Sequence, residues 1–189
     1  MTTAKMEGQE KIIIAGFGGQ GVMLAGKIIA QAACFLGRSA TYLPSYGAEV
    51  RGGTAHCHVI VSEEEIPSPV IEQPDTAIAM NSPSLEKFKT RVRPGGNLLV
   101  NSSLVKAGHV RRDIKTIEVE ANRLAEELGS VKAANMVMIG VCLRLSRLLT
   151  PAAMEEALKH LLPSRHRELL DINLRALRLG ASLNFSDSD

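Results

Sequence analysis

Four glycines within six residues, placed between an apolar segment and a helical pattern, constrain the fold more than any other feature of the chain. Residues 11–15 form a short apolar run that is typical of a buried parallel strand. The sequence Gly16-Phe-Gly-Gly-Gln-Gly21 follows directly and fits the pattern G-x-G-x-x-G. Residues 21–37 then carry apolar side chains at helical spacing. We therefore predict a strand, a tight turn and a helix in direct succession.

Each of three glycines in this turn has its own predicted role. Gly16 permits the tight turn, Gly18 lets the backbone approach a ligand, and Gly21 lets the helix and the strand pack closely. The N-terminus of the helix offers free N–H groups and the positive end of the helix dipole to an anion. Anion binding and simple turn geometry both fit this spacing, and the spacing alone does not choose between them.

The end of the second predicted strand bears on whether the glycine turn holds a dinucleotide. A dinucleotide site also uses an acidic residue there, which holds the ribose hydroxyls. The second strand is predicted at residues 40–43, and it is followed by Pro44 and Ser45. The nearest acid, Glu49, lies inside the next loop. An NAD(P)-binding dehydrogenase of the Rossmann type is therefore kept only as the alternative hypothesis.

The loop at residues 44–53 is the second unusual segment. Arg51 is followed by Gly52 and Gly53, which let the backbone turn sharply and leave the guanidinium group free for a forked contact with phosphate or carboxylate. Tyr46 adds one of only six aromatic side chains. In a doubly wound sheet this loop and the glycine turn line one crevice and can face the same ligand or partner. The alternative is a solvated loop in which Arg51 pairs with Glu49.

The order of the remaining elements defines the fold class. Strands and helices alternate up to about residue 120, and the chain is mostly helical from Ala121 onward. Residues 54–62 alternate like a strand, and we place them in a hairpin with residues 66–68. The prediction is a single α/β domain over 1–189, a Rossmann-like, open, mostly parallel sheet flanked by helices, with a hairpin insertion, a helical C-terminal part and frayed tails at 1–10 and 181–189. Further strands are predicted at 75–80, 97–100 and 116–119, and helices at 120–128, 134–148 and 164–179. Two more helices are predicted to begin with Ser82 and Thr150 as their N-caps, because a proline follows each at the first helical position.

Composition excludes several classes of protein. The balance of 22 basic and 20 acidic residues forces no basic face, so we expect no nucleic-acid partner. No run reaches the roughly 18 apolar residues of a spanning helix. The N-terminus is polar and lacks the apolar region of a signal peptide. We therefore expect a cytoplasmic protein that is not bound to a membrane. Three cysteines are too few and too scattered for a disulfide framework or a four-thiolate cluster.

No residue pattern indicates catalysis or metal binding. His56 and His58 alternate with Cys57 on a strand, so the three side chains cannot converge on a metal ion. Cys34 and Cys142 are expected to be small buried side chains. We predict no catalytic and no metal-ligating residue. Asn135, near the start of a strongly apolar helix, is expected to cap that helix or to bond to a neighbouring chain.

Five segments together resemble one known family. The chain is similar to the gamma subunit of 2-oxoacid:ferredoxin (or flavodoxin, or other acceptor) oxidoreductases over about residues 10–180, and the order, the spacing and the length agree. The form of residues 46–53 looks most like the 2-oxoglutarate branch. The segments that carry the resemblance are 12–22, 45–53, 74–75, 81–83 and 134–136.

The resemblance implies a multisubunit enzyme of the EC 1.2.7 class, also known for pyruvate. Such an enzyme decarboxylates a 2-oxoacid on thiamine diphosphate held between alpha and beta subunits. It transfers the acyl group to coenzyme A and passes electrons through iron–sulfur clusters, often on a small delta subunit, to ferredoxin. The gamma subunit is implied to act in assembly and on the coenzyme A side. We therefore expect no cofactor bound by this chain alone, although it can contact coenzyme A.

The family motifs also carry candidate contact residues onto this chain. Gln20 is expected to donate to a carbonyl or a phosphate, and Arg51 to pair with a phosphate of coenzyme A or with a carboxylate of the alpha subunit. The full set of candidate cofactor-contacting residues is Gly16, Gly18, Gly19, Gln20, Gly21, Tyr46, Arg51, Gly52, Gly53 and Asn135.

Overall fold

One six-stranded sheet and six α-helices make up the computed structural model, which describes residues 8–47, 54–108, 110–162 and 167–185. The strands are β1 (Gln9–Phe17), β2 (Ser39–Tyr46), β3 (Thr54–Ser62), β4 (Thr76–Ala79), β5 (Asn97–Asn101) and β6 (Lys115–Val119). The helices are α1 (Val22–Phe35), α2 (Ser82–Phe88), α3 (Ala121–Glu127), α4 (Ala134–Leu145), α5 (Pro151–Leu161) and α6 (Arg167–Ser182). A short 3-10 helix, Val131–Ala133, precedes α4.

The sheet has the order β2-β3-β1-β4-β5-β6 and is mostly parallel. Strands β1, β4, β5 and β6 run parallel to one another, whereas β3 pairs antiparallel with both β1 and β2. The run Ile12–Ala15 is continuously apolar because β1 lies inside the sheet and is covered on both faces. The predicted fold class, including the helical C-terminal part, is confirmed.

The hairpin was predicted with the wrong partner. Strand β3 forms its hairpin with β2, not with residues 66–68, and the Gly47 N–H donates to the Thr54 carbonyl (2.7 Å) at its closed end. The same strand also pairs with β1 from Gln9↔Ser62 to Phe17↔Thr54. Consequently β2 is not the neighbour of β1, because β3 lies between them. Period-2 alternation predicts a strand, but it does not say which strand is its neighbour.

The helices are divided unequally between the two faces of the sheet. Ile12 and Ile14 point into the larger core with α1 and α3 to α6, whereas Ile13 and Ala15 point into a smaller core beneath α2. The chain therefore leaves β1 toward one face and leaves β4 toward the other. The carboxyl ends of these adjacent parallel strands form a topological switch point, where open α/β sheets have their crevice.

Helix α4 is the buried centre of the larger layer and lies directly against α6. All its residues from Ala134 to Leu143 are buried, so its sequence is apolar on every side. Gly140 and Gly180 lie where the two backbones cross. A Cβ atom on Gly140 would lie 2.3 Å from the Leu177 carbonyl oxygen, and one on Gly180 would lie 2.0 Å from that of Val137. This crossing therefore requires glycine at both positions.

The ends of several elements differ from their predicted positions. The N-cap of α2 is Asn81 rather than Ser82, and its Oδ1 accepts from the Ser84 N–H (2.9 Å). The Thr150 Oγ1 caps α5 as predicted. Strand β1 begins at Gln9 and α6 continues to Ser182, so each element extends into one of the tails predicted at 1–10 and 181–189. Residues 1–7 and 186–189 of these tails lie outside the described residues. Within the described ranges, no helix has the length and apolar character to span a membrane.

Candidate functional site

The glycine turn contains two residues in the left-handed region. Gly19 has a φ of +96° and Gly21, the N-cap of α1, has a φ of +70°, conformations that other L residues rarely adopt. Gly18 lies exposed in the turn. Gly16 is not a turn residue, in contrast to its predicted role. It lies in β1, and its lack of a side chain leaves room for Gln20, since a Cβ atom would lie 2.6 Å from Gln20 Oε1.

Gln20 joins the ends of β1 and β4. Its Oε1 accepts from the Phe17 N–H (2.7 Å) and its Nε2 donates to the Met80 carbonyl (3.1 Å). The Asn81 Nδ2 also donates to Gln20 Oε1 (3.4 Å). The carbonyl that Gln20 was expected to reach is therefore the backbone of β4's end, within this chain. These bonds hold the two sides of the switch point together.

Asn135 binds the glycine turn from 114 positions further along the chain. Its Nδ2 donates to the Gly21 carbonyl (3.0 Å) and its Oδ1 accepts from the Met136 N–H (2.9 Å). The N-cap of α4 is Ala133, so the expectation that Asn135 caps the helix was wrong. A Cβ atom on Gly21 would lie 2.2 Å from Asn135 Nδ2. The predicted need for close packing at Gly21 is thus real, but the partner is α4 rather than a strand.

A pocket of about 170 Å³ opens at this point. It combines residues of the glycine turn with Asn135 and with the segments around α3 and the 3-10 helix. Sequence reasoning missed Asn122, Val131 and Lys132. Their only signal in the sequence was a position after β6, at the same edge of a parallel sheet. The pocket is lined by Gly19, Gln20, Met80, Asn122, Val131, Lys132, Ala134 and Asn135.

A hydrogen-bonded pair of asparagines lies beside this pocket. Asn101, at the carboxyl end of β5, is fully buried, and its Nδ2 donates to Asn122 Oδ1 (2.8 Å). The Oδ1 of Asn101 is buried and has no hydrogen-bond partner among the described residues. This pair fixes the orientation of the Asn122 side chain that faces the pocket.

The second predicted loop begins at the same edge of the sheet. Tyr46 ends β2 opposite Ala55, and its side chain is 70% exposed. Because β3 lies between β2 and β1, Tyr46 is roughly 10 Å from the end of β1 in the hydrogen-bonding direction. The two predicted loops thus share an edge, but they do not follow neighbouring strands. Arg51, Gly52 and Gly53 lie outside the described residues, and their role stays a prediction.

The His56-Cys57-His58 segment divides between two faces, as alternation predicts. Cys57 is buried in the larger core, whereas His56 lies against the Phe88 ring (5.3 Å between centroids) on the other face. Within residues 8–47, 54–108, 110–162 and 167–185, no group of three or more His, Cys, Asp or Glu side chains is placed to hold a metal ion. Of the other cysteines, Cys142 is buried, but Cys34 is exposed, which corrects its predicted burial.

His58 holds the segment that follows β3. The Ile71 N–H donates to His58 Nδ1 (3.1 Å), which requires a neutral ring at that atom. Burial lowers the pKa of His58, and the Arg91 and Lys87 charges act in the same direction. Burial also lowers the pKa of His56 to about 4, with Lys87 the next cause. Both histidines are therefore neutral in the folded protein near pH 7.

We expect the protein to lose stability when the pH falls from about 6.5 toward about 4. The unfolded chain binds protons at His56 and His58 in this range. The folded chain binds fewer, because the pKa of each histidine is lowered in the fold, so acid favours unfolding. The midpoint temperature of thermal unfolding, measured between pH 7.5 and pH 4, should decrease across this pH range. In a His56→Gln variant that folds normally at pH 7.5, the fall should be smaller. An equal fall in both proteins would contradict this assignment.

The fold and the pocket define an open α/β domain with a crevice at the switch point of its sheet. Residues 11–183 match the pyruvate ferredoxin/flavodoxin oxidoreductase family. The chain belongs to this family.

Two relatives differ in length. The 2-oxoglutarate synthase subunit KorC of Methanothermobacter marburgensis is 36% identical over 182 residues, covering 93% of this chain and 96% of that protein. The ketoisovalerate oxidoreductase subunit VorA of Methanothermobacter thermautotrophicus is 40% identical over 172 residues, covering 90% of this chain but only 35% of that protein. The chain thus spans about a third of the length of VorA and nearly all of KorC.

Two solved structures share the fold. The gamma subunit of a keto/oxoacid ferredoxin oxidoreductase from Geobacter sulfurreducens has a TM-score of 0.76 and 29% identity, covering 90% of this chain and 95% of that one. A 2-oxoglutarate:ferredoxin oxidoreductase from Magnetococcus marinus, with 2-oxoglutarate, coenzyme A and succinyl-CoA bound, has a TM-score of 0.86 and 23% identity, covering 97% of this chain and 33% of that one. The second likeness concerns the fold alone.

The NAD(P)-dehydrogenase alternative is not favoured. In the dinucleotide-binding arrangement, the second strand lies beside the first and places its acidic end near the ribose. Here β3 separates β2 from β1, and β2 ends on Ser45 and Tyr46 rather than on an acid. The Gln20 side chain also binds within the glycine turn. The glycine motif therefore occurs without the strand arrangement that a dinucleotide requires.

Proposed function

We propose that this chain is the gamma subunit of a 2-oxoacid:ferredoxin oxidoreductase, with 2-oxoglutarate as the 2-oxoacid. The complex would convert the 2-oxoacid and coenzyme A to acyl-CoA and carbon dioxide, with two electrons passing to ferredoxin. The observation that carries the proposal is the contact of Gly21 with Asn135, which joins two distant family motifs at one pocket. The near full-length likeness to KorC supports the 2-oxoglutarate branch.

The chain's own part in this proposal is to contact coenzyme A and to hold partners, without catalytic residues. Its cysteines do not suit an iron–sulfur cluster, because Cys57 and Cys142 are buried in the larger core and Cys34 is exposed on α1. We therefore assign the clusters and thiamine diphosphate to the alpha, beta and delta subunits. Free thiols also suit the reducing cytoplasm, where we place the complex.

Exposed apolar side chains at the carboxyl edge support a partner that packs there. Phe17 ends β1, Tyr46 ends β2, and Val131 lines the pocket, and all three are exposed large side chains. Exposed large apolar side chains along one edge of a sheet are typical of a surface that a partner covers. The proposed partner at this edge is the alpha subunit.

The test is reconstitution of the full chain with the alpha, beta and delta subunits of the same organism. We expect the four to purify together and to turn over 2-oxoglutarate with coenzyme A when oxidised ferredoxin is supplied as the electron acceptor. Arg51→Ala should leave assembly and kcat intact and raise the KM for coenzyme A about 10-fold, because a charge-assisted contact contributes about 1.5 kcal/mol or more.

Arg175→Ala is the matched control, since Arg175 is an exposed arginine on α6. It should leave the KM unchanged. Loss of the complex in Arg51→Ala would assign that loop to assembly rather than to coenzyme A. Purification of the chain from its native source as a lone protein with its own turnover would overturn the gamma-subunit proposal.

A further inference from the structure

The side-chain oxygens that line the pocket already accept hydrogen bonds from inside the protein. Gln20 Oε1 accepts from the Phe17 N–H, and Asn135 Oδ1 accepts from the Met136 N–H. Asn122 Oδ1 accepts from Asn101 Nδ2 at 2.8 Å. The three amide side chains of the pocket are thus oriented by the fold before any ligand enters.

The nitrogen atoms of the same amides retain donors. A side-chain amide nitrogen carries two N–H groups. Gln20 Nε2 uses one of them for the Met80 carbonyl, and Asn135 Nδ2 uses one for the Gly21 carbonyl. Within the described residues, no acceptor is paired with Asn122 Nδ2 or with the exposed ammonium group of Lys132. The polar side chains of the pocket therefore offer N–H donors and one positive charge.

The orientation of the Asn101–Asn122 pair decides whether Asn122 presents a nitrogen or an oxygen to the pocket. In the arrangement observed, the buried group without a partner is a carbonyl oxygen, Asn101 Oδ1. The reversed pair would instead bury the Asn101 amide nitrogen without an acceptor and turn an oxygen of Asn122 toward the pocket. Buried N–H groups without partners are rarer than buried carbonyls without partners. Asn101 thus acts as a positioning residue that presents the Asn122 nitrogen.

We propose that this pocket is an oxyanion-binding site, in which Asn122 and Lys132, with Gln20 and Asn135, hold a phosphate or carboxylate group. None of the lining residues carries a carboxylate that would repel such a group. A volume of about 170 Å³ equals roughly five to six water molecules at about 30 Å³ each, which accommodates either group. The chain by itself binds the anion in this pocket, whatever complex it joins.

The test is a titration of the full, isotope-labelled chain, followed through its side-chain amide resonances. The probes are methyl phosphate, acetate and guanidinium chloride at constant ionic strength. Methyl phosphate or acetate should shift the amide signals of Asn122 and Asn135 in a saturable way. The anion with the lower dissociation constant identifies the preferred group. Guanidinium, which only donates, should shift neither. Equal shifts with guanidinium, or no saturable shift with either anion, would overturn the proposal.

Two variants assign the effect to the pocket. Asn122→Asp keeps the acceptor for Asn101 but replaces the free donor by a second oxygen, and we expect at least 10-fold weaker anion binding. Lys132→Met removes the charge but keeps most of the unbranched stem at an exposed position, and it should weaken binding at least 5-fold without affecting folding. Lys159→Met, on α5 where Lys159 pairs with Glu156, should bind like the unaltered chain. Unchanged binding in Lys132→Met would contradict the assignment, and this result is separate from assembly with alpha and beta.

Discussion

Replacing Gly180 by alanine is expected to destabilise the protein by about 3 kcal/mol. The added Cβ atom would lie 2.0 Å from the Val137 carbonyl oxygen, so α4 and α6 must separate at their crossing. The added atom would meet a backbone carbonyl, so no side-chain rotation relieves the contact. Helix α4 is also buried on every side and has little room to move. Urea unfolding of the purified chain, analysed at constant slope, measures this loss. Gly140→Ala should have an effect of the same kind, because its Cβ atom would meet the Leu177 carbonyl.

Ser182→Ala is the matched control for the crossing. It lies on the same helix, it is exposed, and its hydroxyl group donates to the Leu179 carbonyl of that helix. We expect a change within about 0.5 kcal/mol, as for other surface substitutions. If Gly180→Ala were as mild as Ser182→Ala, the two backbones would not be in contact at this crossing.

Gly21→Ala is expected to cost about 3 kcal/mol or more, and part of that cost should disappear when Asn135 is also removed. The new Cβ atom would lie 2.2 Å from Asn135 Nδ2, and it would also hold an alanine at a φ of +70°. The backbone strain contributes about 1–2 kcal/mol and the contact supplies the rest. Asn135→Ala alone should cost about 1–3 kcal/mol, because the Met136 N–H and the Gly21 carbonyl lose a partner.

A double-mutant cycle separates these contributions. Gly21→Ala combined with Asn135→Ala should cost at least 1 kcal/mol less than the sum of the two single changes, since the close contact is absent. Gly19→Ala is the control for strain alone. Gly19 also has a positive φ, but a Cβ atom there would meet nothing within 4 Å, so we expect only about 1–2 kcal/mol. Additive effects at Gly21 and Asn135 would show that the two residues do not contact each other.

Local signals in the sequence were sufficient where a structure depends on neighbours along the chain. The apolar run before Gly16, the helix that follows Gly21, the strand at Thr54–Ser62 and the cap at Thr150 all occur as predicted. Each depends on the period of its apolar residues, on a glycine conformation or on a cap within one turn. The resemblance to the oxidoreductase family rested on such local segments too, and the family match over residues 11–183 confirms it.

Local signals in the sequence did not predict which distant strand or residue each element contacts. The alternation of β3 is the same whether it pairs with residues 66–68 or with β1 and β2. Asn135 has the sequence position of a helix cap, yet its amide reaches Gly21 instead. Cys34 was expected to be buried because a free cysteine is usually a small buried side chain, but it lies on the exposed side of α1 next to the buried Ala33. These assignments depend on contacts between residues far apart in the chain.

The sequence by itself determined the strand, the glycine turn and the helix, the α/β class and the family, because backbone conformation and hydrophobic period are local properties. The tertiary structure alone decided that Gln20 and Asn135 bind within the chain and that Asn101 orients Asn122 beside Lys132. A side-chain amide can present either an oxygen or a nitrogen, and only its distant partners determine which one faces the pocket. The donor character of the pocket is therefore a property of the folded chain.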